Sequence, residues 1–393
     1  MARYSLTPHR LLAAVLLSAV FSGCAGGGNG GSGLPQWSAV EELRIGSADD
    51  ADRRLTTVSA LVVDDDGWVY VAQPEDGVVR VFDDGGILVR YIGGRGQEPG
   101  SFDRVYTIGL LADTLYAIDL SQRRISYFSL EGEHLRSTQV APPRVSAPFR
   151  PSMPFAVFPD GSMALGTSFP PSISAEDLRR VPQLRMDAAT QVLDTVTWIA
   201  YERTARRASY LERPLTVGSP LSDDAFAMFS GDGSRLATFD RTVAAGAGTA
   251  SFGVIVADET GDTIYSRRYE YTPVQVANAV IDSTVSERAN QLSGAFEDPS
   301  EAPAFVRAAM FLPVYHPPVG TAVFSADETL WVRREEVPGQ NQSWMILDET
   351  GEPVATATLP EGLQVMVIHS DALWGVEPDQ NGVPYVVRYR IDR

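Results

Sequence analysis

The sequence predicts an all-β protein, a six-bladed β-propeller closed by an N-terminal strand, with a short helical insertion between its fourth and fifth blades. Three observations lead to this prediction. Residues 59–103 contain short β-branched segments separated by Asp-Gly turns, that unit recurs along the chain, and the two ends of the chain carry strand-like segments that complement each other. Four antiparallel strands joined by tight turns form one propeller blade.

Tight turns separate the strand-like segments of residues 59–103. Asp-Asp-Gly stands at 65–67 and Asp-Asp-Gly-Gly at 83–86, each between segments rich in β-branched residues. Glycine supplies the positive φ that a two-residue hairpin turn requires, so this pattern is a strong hairpin signal. The stretch therefore predicts four antiparallel strands followed by a glycine-rich connector.

The same unit recurs at a fixed spacing. The segment VRVFDDGGIL resembles ISYFSLEGEHL, so that Phe82 corresponds to Phe128 at a distance of 46 residues. Asp-Glu-Thr-Gly occurs at 258–261 and again at 348–351, each time after an apolar segment. A period of about 40–50 residues is typical of stacked units that bury one another's faces. A single sheet or a sandwich would explain the hairpins but not the repetition.

The strand-like segments group into six units, with five or seven as the alternatives. The segment 43–46 resembles the last strand of the first unit, whereas the C-terminal unit has only three strands of its own. We therefore expect the N-terminal segment to complete the last unit and remove an exposed sheet edge. The expected blades are 58–93, 105–140, 150–199, 214–270, 318–359, and 363–391 together with 40–46.

Residues 274–312 interrupt the pattern of strands. Apolar side chains recur at helical spacing over 274–296, and 303–312 indicates a second helix. Two interpretations are open: a helical pair packed on the rim of the propeller, or a lid over the mouth of its channel. The residues on the predicted apolar face of the first helix are Ala277, Val280, Ile281, Val285, Ala289, Leu292 and Phe296.

Residues 1–23 have the features of a secretory signal peptide. Arg3 and Arg10 precede or flank an apolar run at 11–21 that is too short to cross a bilayer as a permanent helix. Cys24 is the only cysteine and follows Phe-Ser-Gly, a segment that resembles the lipobox of bacterial lipoproteins. The resemblance implies lipidation of Cys24. The alternative is a plain signal peptide that happens to include a cysteine.

The residues after the signal peptide suit an anchored domain. Residues 24–36 would form the lipidated cysteine and a flexible Gly-rich tether, and 37–393 the propeller. Because Ala25 rather than Asp follows Cys24, we expect an extracytoplasmic, lipid-anchored protein in the outer membrane rather than the inner one. We expect a monomer that contacts the membrane through the anchor.

Charge narrows the range of partners. The formal net charge is −18 at pH 7, and every cationic side chain other than histidine is arginine, since the sequence has no lysine. An acidic surface argues against nucleic acid and against electrostatic attraction to anionic lipids. The candidate partners that remain are a protein, a peptide or a glycan.

Two segments resemble a known group of propellers. Residues 92–102 (IGGRGQEPGSF), followed by LLADTLYAID, are similar to the linker and strands of NHL-repeat propellers. The segment 313–318 (PVYHPP), followed by LWV and LPEG, looks like the closing blades of bacterial six-bladed propeller lipoproteins. The resemblance implies a lipoprotein of the NHL-repeat-like or TolB-like group. Lactonases and amidating lyases on similar scaffolds hold a divalent metal on the channel axis.

Arginines are concentrated between residues 175 and 213, where they could receive a carboxylate or an anionic glycan. The alternative is a solvated face that pairs with nearby acidic residues. The arginines of this stretch are Arg179, Arg180, Arg185, Arg203, Arg206, Arg207 and Arg213. The candidate ligand-binding residues are Arg179, Arg203, Arg207, Tyr315, His316 and His369.

Catalytic motifs are not evident. The sequence has neither a GxSxG nor an HExxH motif, and His316 and His369 would need a third ligand to hold a metal. We therefore predict no catalytic residues, no metal and no cofactor, with calcium held by strand-end carboxylates such as Asp119 and Asp240 as the alternative. The predicted function is a binding or interaction module. The alternative is a metal-dependent hydrolase or lyase of the lactonase or amidating-lyase kind.

Overall fold

The computed structural model describes residues 33–50, 53–140, 149–168, 179–187, 193–201, 205–335, 337–369 and 371–393. The predicted signal peptide 1–23, the predicted lipidation site Cys24 and most of the tether 24–36 lie outside the described residues, as does Arg203. Within the described ranges, no helix combines the length and apolar character needed to cross a membrane.

Strand β1 (Gln36–Ile45) begins the described chain, and two four-stranded antiparallel sheets follow it in chain order. The strands of the first sheet are β2 (Ala60–Val63), β3 (Val69–Gln73), β4 (Val78–Phe82) and β5 (Leu88–Gly93). The strands of the second sheet are β6 (Val105–Leu111), β7 (Thr114–Asp119), β8 (Arg124–Ser129) and β9 (His134–Gln139).

Two further four-stranded sheets follow, separated by a two-stranded hairpin. The strands of the third sheet are β10 (Arg150–Val157), β11 (Met163–Ser168), β12 (Val181–Met186) and β13 (Leu193–Ile199). The hairpin consists of β14 (Ala205–Tyr210) and β15 (Arg213–Gly218). The strands of the fourth sheet are β16 (Phe226–Phe229), β17 (Arg235–Asp240), β18 (Ala250–Asp258) and β19 (Thr263–Tyr271).

The remaining strands form one eight-stranded sheet, in which β1 lies between β23 and β26. Its other strands are β20 (Val319–Phe324), β21 (Leu330–Arg334), β22 (Gln342–Leu347), β23 (Pro353–Leu359), β24 (Gln364–His369), β25 (Ala372–Pro378) and β26 (Pro384–Asp392). The prediction of six separate blades is therefore wrong. In the described residues, four four-stranded blades and the β14–β15 hairpin stand alone, and the remaining eight strands form one continuous sheet.

The N-terminal strand explains this difference. Its residues 43–45 pair antiparallel with β26, Leu43 opposite Arg388 and Ile45 opposite Val386. The strand also begins earlier than the segment 40–46 that the sequence indicated, and its residues 36–38 pair in parallel with 356–358 of β23. One strand therefore saturates the edges of two neighbouring groups of strands and merges them into one sheet.

The first strands of these sheets lie side by side around a centre. We call β2, β6, β10, β16, β20 and β24 the inner strands. Contacts join β24 to β2, β2 to β6, β6 to β10, β16 to β20, and β20 to β24. Between the third and fourth sheets the contact is made by the Phe158 and Phe229 rings, whose centroids are 5.4 Å apart. This radial arrangement is a β-propeller.

The two ends of the propeller differ. At one end, which we call the turn end, lie the hairpins that join the third and fourth strands of a sheet, and aspartates close two of them by accepting backbone N–H groups. Asp258 accepts from Thr260 and Asp262, and Asp348 accepts in the same way from Thr350 and Glu352. The two Asp-Glu-Thr-Gly segments of the sequence are therefore the same turn in two places.

The opposite end of the propeller carries a helical lobe, and we call it the lobe end. The lobe consists of β14, β15, α1 (Asn278–Leu292) and α2 (Ala302–Ala309), which share one hydrophobic core. Of the predicted helical face, Val285, Ala289 and Phe296 are buried, whereas Ala277 is exposed. The hydroxyl of Ser219 donates to the carbonyl of Phe311 at 2.7 Å and connects the segment after the hairpin to the segment after α2.

The connector between the first and second sheets is anchored by buried groups. Phe102 is fully buried and its ring centroid lies 5.7 Å from that of Phe128. Asp119 is also buried, and its carboxylate accepts the backbone N–H groups of Asp103, Arg104 and Gln122. The Gly-Pro-rich segment that resembled a propeller linker thus places a ring in the core between two sheets.

Candidate functional site

Bulges in the inner strands leave two aromatic side chains exposed. Tyr106 interrupts the pairing of β6 with β7, and Phe155 interrupts that of β10 with β11. A bulge leaves one residue out of the ladder and redirects its side chain. Tyr106 is 51% exposed and Phe155 is 44% exposed, although both lie on innermost strands. The inner strands therefore expose one aromatic ring near the lobe end, at the start of β6, and another nearer the turn end, close to the end of β10.

Arginines and aromatic rings meet where the third sheet reaches the lobe end. Trp198 is 44% exposed, and the Phe149 ring approaches it edge-on at 6.0 Å between centroids. The Arg180 guanidinium lies 5.4 Å from the centroid of the Trp198 ring, and Arg179 beside it is exposed. We call Phe149, Arg179, Arg180 and Trp198 the arginine–aromatic patch. Such a surface suits ligands that carry both an apolar face and an anionic group.

A buried polar cluster lies next to this patch. Asp223 and Asp224 are almost completely buried before β16, and the Asp223 carboxylate accepts the backbone N–H of Val243 at 2.8 Å. Arg241 donates to the backbone carbonyls of Ser222, Asp224 and Val319. Burial lowers the pKa of Arg241, against the opposing effect of the two aspartate charges. This guanidinium holds the start of β16 against the start of β20.

Tyr201 lies near the buried cluster and shortly after Trp198 in the chain. Burial raises the pKa of its phenol, and the negative charge of Asp224 raises it further. Tyr201 also packs against the small apolar group formed by Phe149 and Val181. The arginine–aromatic patch and the buried cluster are therefore neighbours.

The predicted ligand-binding residues are only partly brought together. Arg179 belongs to the patch, Arg203 lies outside the described residues, and Arg207 lies on β14 in a position whose side chain is not described. Tyr315 is half-buried and forms a backbone bridge with Gln275 at the lobe end.

The two histidines do not meet. His316 is buried before β20, where its backbone N–H donates to the carbonyl of Val274. His369 ends β24 at the turn end, with its Nε2 3.7 Å from a carboxylate oxygen of Asp65. The two imidazoles are thus at opposite ends of neighbouring inner strands, because β20 and β24 run in the same direction.

The strand-end carboxylates have structural partners. The Asp119 carboxylate accepts hydrogen bonds from three backbone N–H groups. Asp240 accepts from the hydroxyl of Thr242 at 2.9 Å and from the guanidinium of Arg268 at 3.2 Å. In the part of the chain that the structure describes, no three His, Cys, Asp or Glu side chains are grouped so that they could hold a metal ion.

Sequence reasoning missed Trp198, Phe149 and the Asp223–Asp224 pair. Trp198 stands in an ordinary strand pattern, and only the tertiary structure shows that it remains exposed beside Arg180. The pair of aspartates follows Ser-Pro-Leu-Ser and looks like a solvated turn. In the folded chain both are buried, and their charges act on Arg241, which follows β17.

Comparisons with known proteins bear on the fold alone. No protein-family model matches the chain, and no curated protein matches it. It is similar to a solved structure of a DUF4221 family member from Bacteroides vulgatus, with 12% identity, coverage of 91% of this chain and 99% of that chain, and a TM-score of 0.52. This supports the β-propeller fold and does not identify an activity.

Two further solved structures are more distant. Virginiamycin B lyase from Staphylococcus aureus has 10% identity, coverage of 90% of this chain and 99% of that chain, and a TM-score of 0.42. A PQQ-bound aldose sugar dehydrogenase from Streptomyces coelicolor has 12% identity, coverage of 91% and 98%, and a TM-score of 0.42. Likeness at this level gives no basis for assigning either activity. The resemblance to NHL-repeat or TolB-like lipoproteins stays a prediction from the sequence.

Proposed function

We propose that this chain is an extracytoplasmic binding module, anchored through Cys24, that binds an acidic glycan at the arginine–aromatic patch. The single observation that carries the proposal is the exposed Trp198 ring with the Arg180 guanidinium 5.4 Å from its centroid. The apolar face of a sugar ring can pack on such an indole, and a guanidinium is the side chain best suited to a carboxylate.

The electrostatics favour a local rather than a long-range attraction. The chain has a net charge of −18, so its overall field repels anions. Arg179 and Arg180 offset that field only close to the patch, at distances shorter than the screening length of about 8 Å at physiological ionic strength. An acidic sugar would therefore be bound by direct contact with these arginines.

The test uses a matched pair of sugars. Trigalacturonate carries three carboxylates, whereas its methyl ester has the same rings without the charges. We expect calorimetric titration to show binding of both, with trigalacturonate tighter and weakened by added NaCl. Arg180→Gln should weaken trigalacturonate binding about tenfold, which corresponds to roughly 1.4 kcal/mol of binding free energy. The same variant should bind the methyl ester as tightly as the wild type does. Trp198→Ala should weaken both.

Arg267 supplies the control, since it is an exposed arginine at the turn end that pairs with Glu352 at 2.7 Å. Arg267→Gln should leave both sugars unaffected. Equal affinity of the wild-type chain for trigalacturonate and its ester, or an equal effect of Arg180→Gln and Arg267→Gln, would rule out carboxylate recognition at the patch.

A further inference from the structure

A groove lies between the second and third sheets, and its described lining includes no residue of the arginine–aromatic patch. Its volume is about 390 Å³. Most of its lining is apolar, and polar groups come from the outer strand β9. The apolar residues that line it include Leu111, Ile125, Tyr127, Phe158, Met163 and Met186. The polar residues are Arg136, Thr138 and Gln139.

The repeat of the sequence shows why this groove is unusual. Arg90 on β5 and Arg136 on β9 occupy the same position of the repeat, 46 residues apart. The guanidinium of Arg90 lies 4.9 Å from the centroid of the Trp68 ring and donates to the carbonyl of Leu130 in the next sheet at 3.0 Å. Arg90 thus connects the first sheet to the second.

Within the described ranges, Arg136 makes no equivalent connection to the third sheet. Its guanidinium stacks 3.6 Å from the centroid of the Tyr127 ring, and its hydrogen bond goes to the Thr138 hydroxyl of the same strand at 3.4 Å. Among the described residues, no carboxylate lies within ion-pair distance of it. An exposed cation therefore stands at the edge of an apolar groove, in a protein whose overall charge is strongly negative.

We propose that this groove binds a small amphipathic carboxylate. Its apolar body would lie between Tyr127, Phe158 and Met163, and its carboxylate would reach the guanidinium of Arg136. Thioether and aromatic side chains adapt to apolar ligands of varied shape, and a guanidinium pairs with a carboxylate through charge-assisted hydrogen bonds. This binding site is separate from the proposed glycan site and does not depend on it.

Octanoate and octan-1-ol test the proposal, because they share a chain length and differ in charge. We expect calorimetric titration to show one octanoate per chain. Arg136→Gln should weaken octanoate binding about tenfold and change octanol binding less than twofold. Thr138→Trp, which places a ring over the groove from an exposed position, should weaken both ligands at least tenfold. Arg90→Gln, the repeat-equivalent control, should change neither by more than twofold.

Each result has a defined meaning. Loss of octanoate and octanol affinity to the same extent in Arg136→Gln would overturn the assigned role of the guanidinium. Unchanged binding in Thr138→Trp would overturn the location. An absence of saturable octanoate binding to the wild-type chain would overturn the proposal as a whole. Circular dichroism spectra that match the wild type would show that the variants fold.

Discussion

Two junctions between neighbouring sheets are packed differently, although the same sequence repeat borders both. The first junction lies between the first and second sheets, and the second lies between the second and third sheets. At the first junction, Phe102 from the connector fills the space between the sheets, and Arg90 connects them. At the second junction, a groove of about 390 Å³ remains beside Arg136. The repeat therefore specifies the hairpins, whereas the side chains that fill and connect a junction, such as Phe102 and Arg90, are specific to it.

The largest expected effect is at the ring that closes the first junction. Phe102→Ala should lower the free energy of unfolding by about 3–5 kcal/mol, because it leaves a cavity in a fully buried core. Phe155→Ala should cost less than about 1 kcal/mol, because that ring is 44% exposed. Urea unfolding followed by tryptophan fluorescence measures both. Similar losses of unfolding free energy in the two variants would contradict the different roles given to the buried Phe102 ring and the exposed Phe155 ring.

The second prediction concerns the glycine against which Phe102 packs. Gly93 has φ +83°, and an added Cβ would lie 2.2 Å from the Phe102 ring. Gly94 has φ +144°, but an added Cβ there would meet nothing within 4 Å. Gly93→Ala should therefore destabilise the chain by at least about 2 kcal/mol more than Gly94→Ala, since both share the backbone strain and only one has the clash. Thermal unfolding of the pair provides the measurement.

The third prediction compares the residues that end the second strands of two sheets. Asp119→Asn should cost about 1–3 kcal/mol, because an amide cannot accept all three of the backbone N–H groups that the carboxylate accepts. Ser168 ends the corresponding strand of the third sheet, and its hydroxyl donates to the carbonyl of Arg150 at 3.0 Å. Ser168→Ala should cost less than about 1 kcal/mol in the same unfolding assay.

The smallest expected effect is a pH dependence at the turn that borders the groove. Partial burial opposes the charged form of Asp160, but hydrogen bonds from Ser162 and the charge of Arg185 outweigh it and hold the pKa of Asp160 below its usual value. A lowered pKa stabilises the fold above about pH 4, and this contribution is lost as the pH falls through the lowered value. Because the side chain is more than half exposed, the contribution is under about 1 kcal/mol.

Asp160→Asn provides the measurement of that contribution. The variant should be slightly less stable than the wild type at pH 7, and the difference in the free energy of unfolding should vanish near pH 2. A difference that is constant over this range would show that the carboxylate charge has no part in holding the turn.

Much of the fold could be predicted because its signals are local. Asp-Gly turns and a 46-residue period indicate hairpins and stacked sheets, and the pairing of Leu43 and Ile45 with β26 agrees with the expected role of the N-terminal segment. The parallel pairing of residues 36–38 with β23 could not be predicted. Nothing in three residues of the chain shows which of two available edges they will join.

The candidate sites were less predictable, because they depend on contacts between distant segments. Arg179 and Arg180 were recognised as part of an arginine-rich stretch, but the exposure of Trp198 beside them follows from tertiary packing. The groove was not predicted at all, since Arg90 and Arg136 look alike in the sequence. What distinguishes the two arginines is the carbonyl of Leu130, which only the folded chain brings to Arg90.

Thiol labelling at two equivalent positions tests most directly whether one junction is closed and the other open. Val81 and Tyr127 lie 46 residues apart on the third strands of the first and second sheets, and only Tyr127 lines the groove. With Cys24 replaced by serine, iodoacetamide should modify Tyr127→Cys at least about 100-fold faster than Val81→Cys, which should react only when the chain unfolds. Equal labelling rates, both limited by unfolding, would contradict an open junction between the second and third sheets.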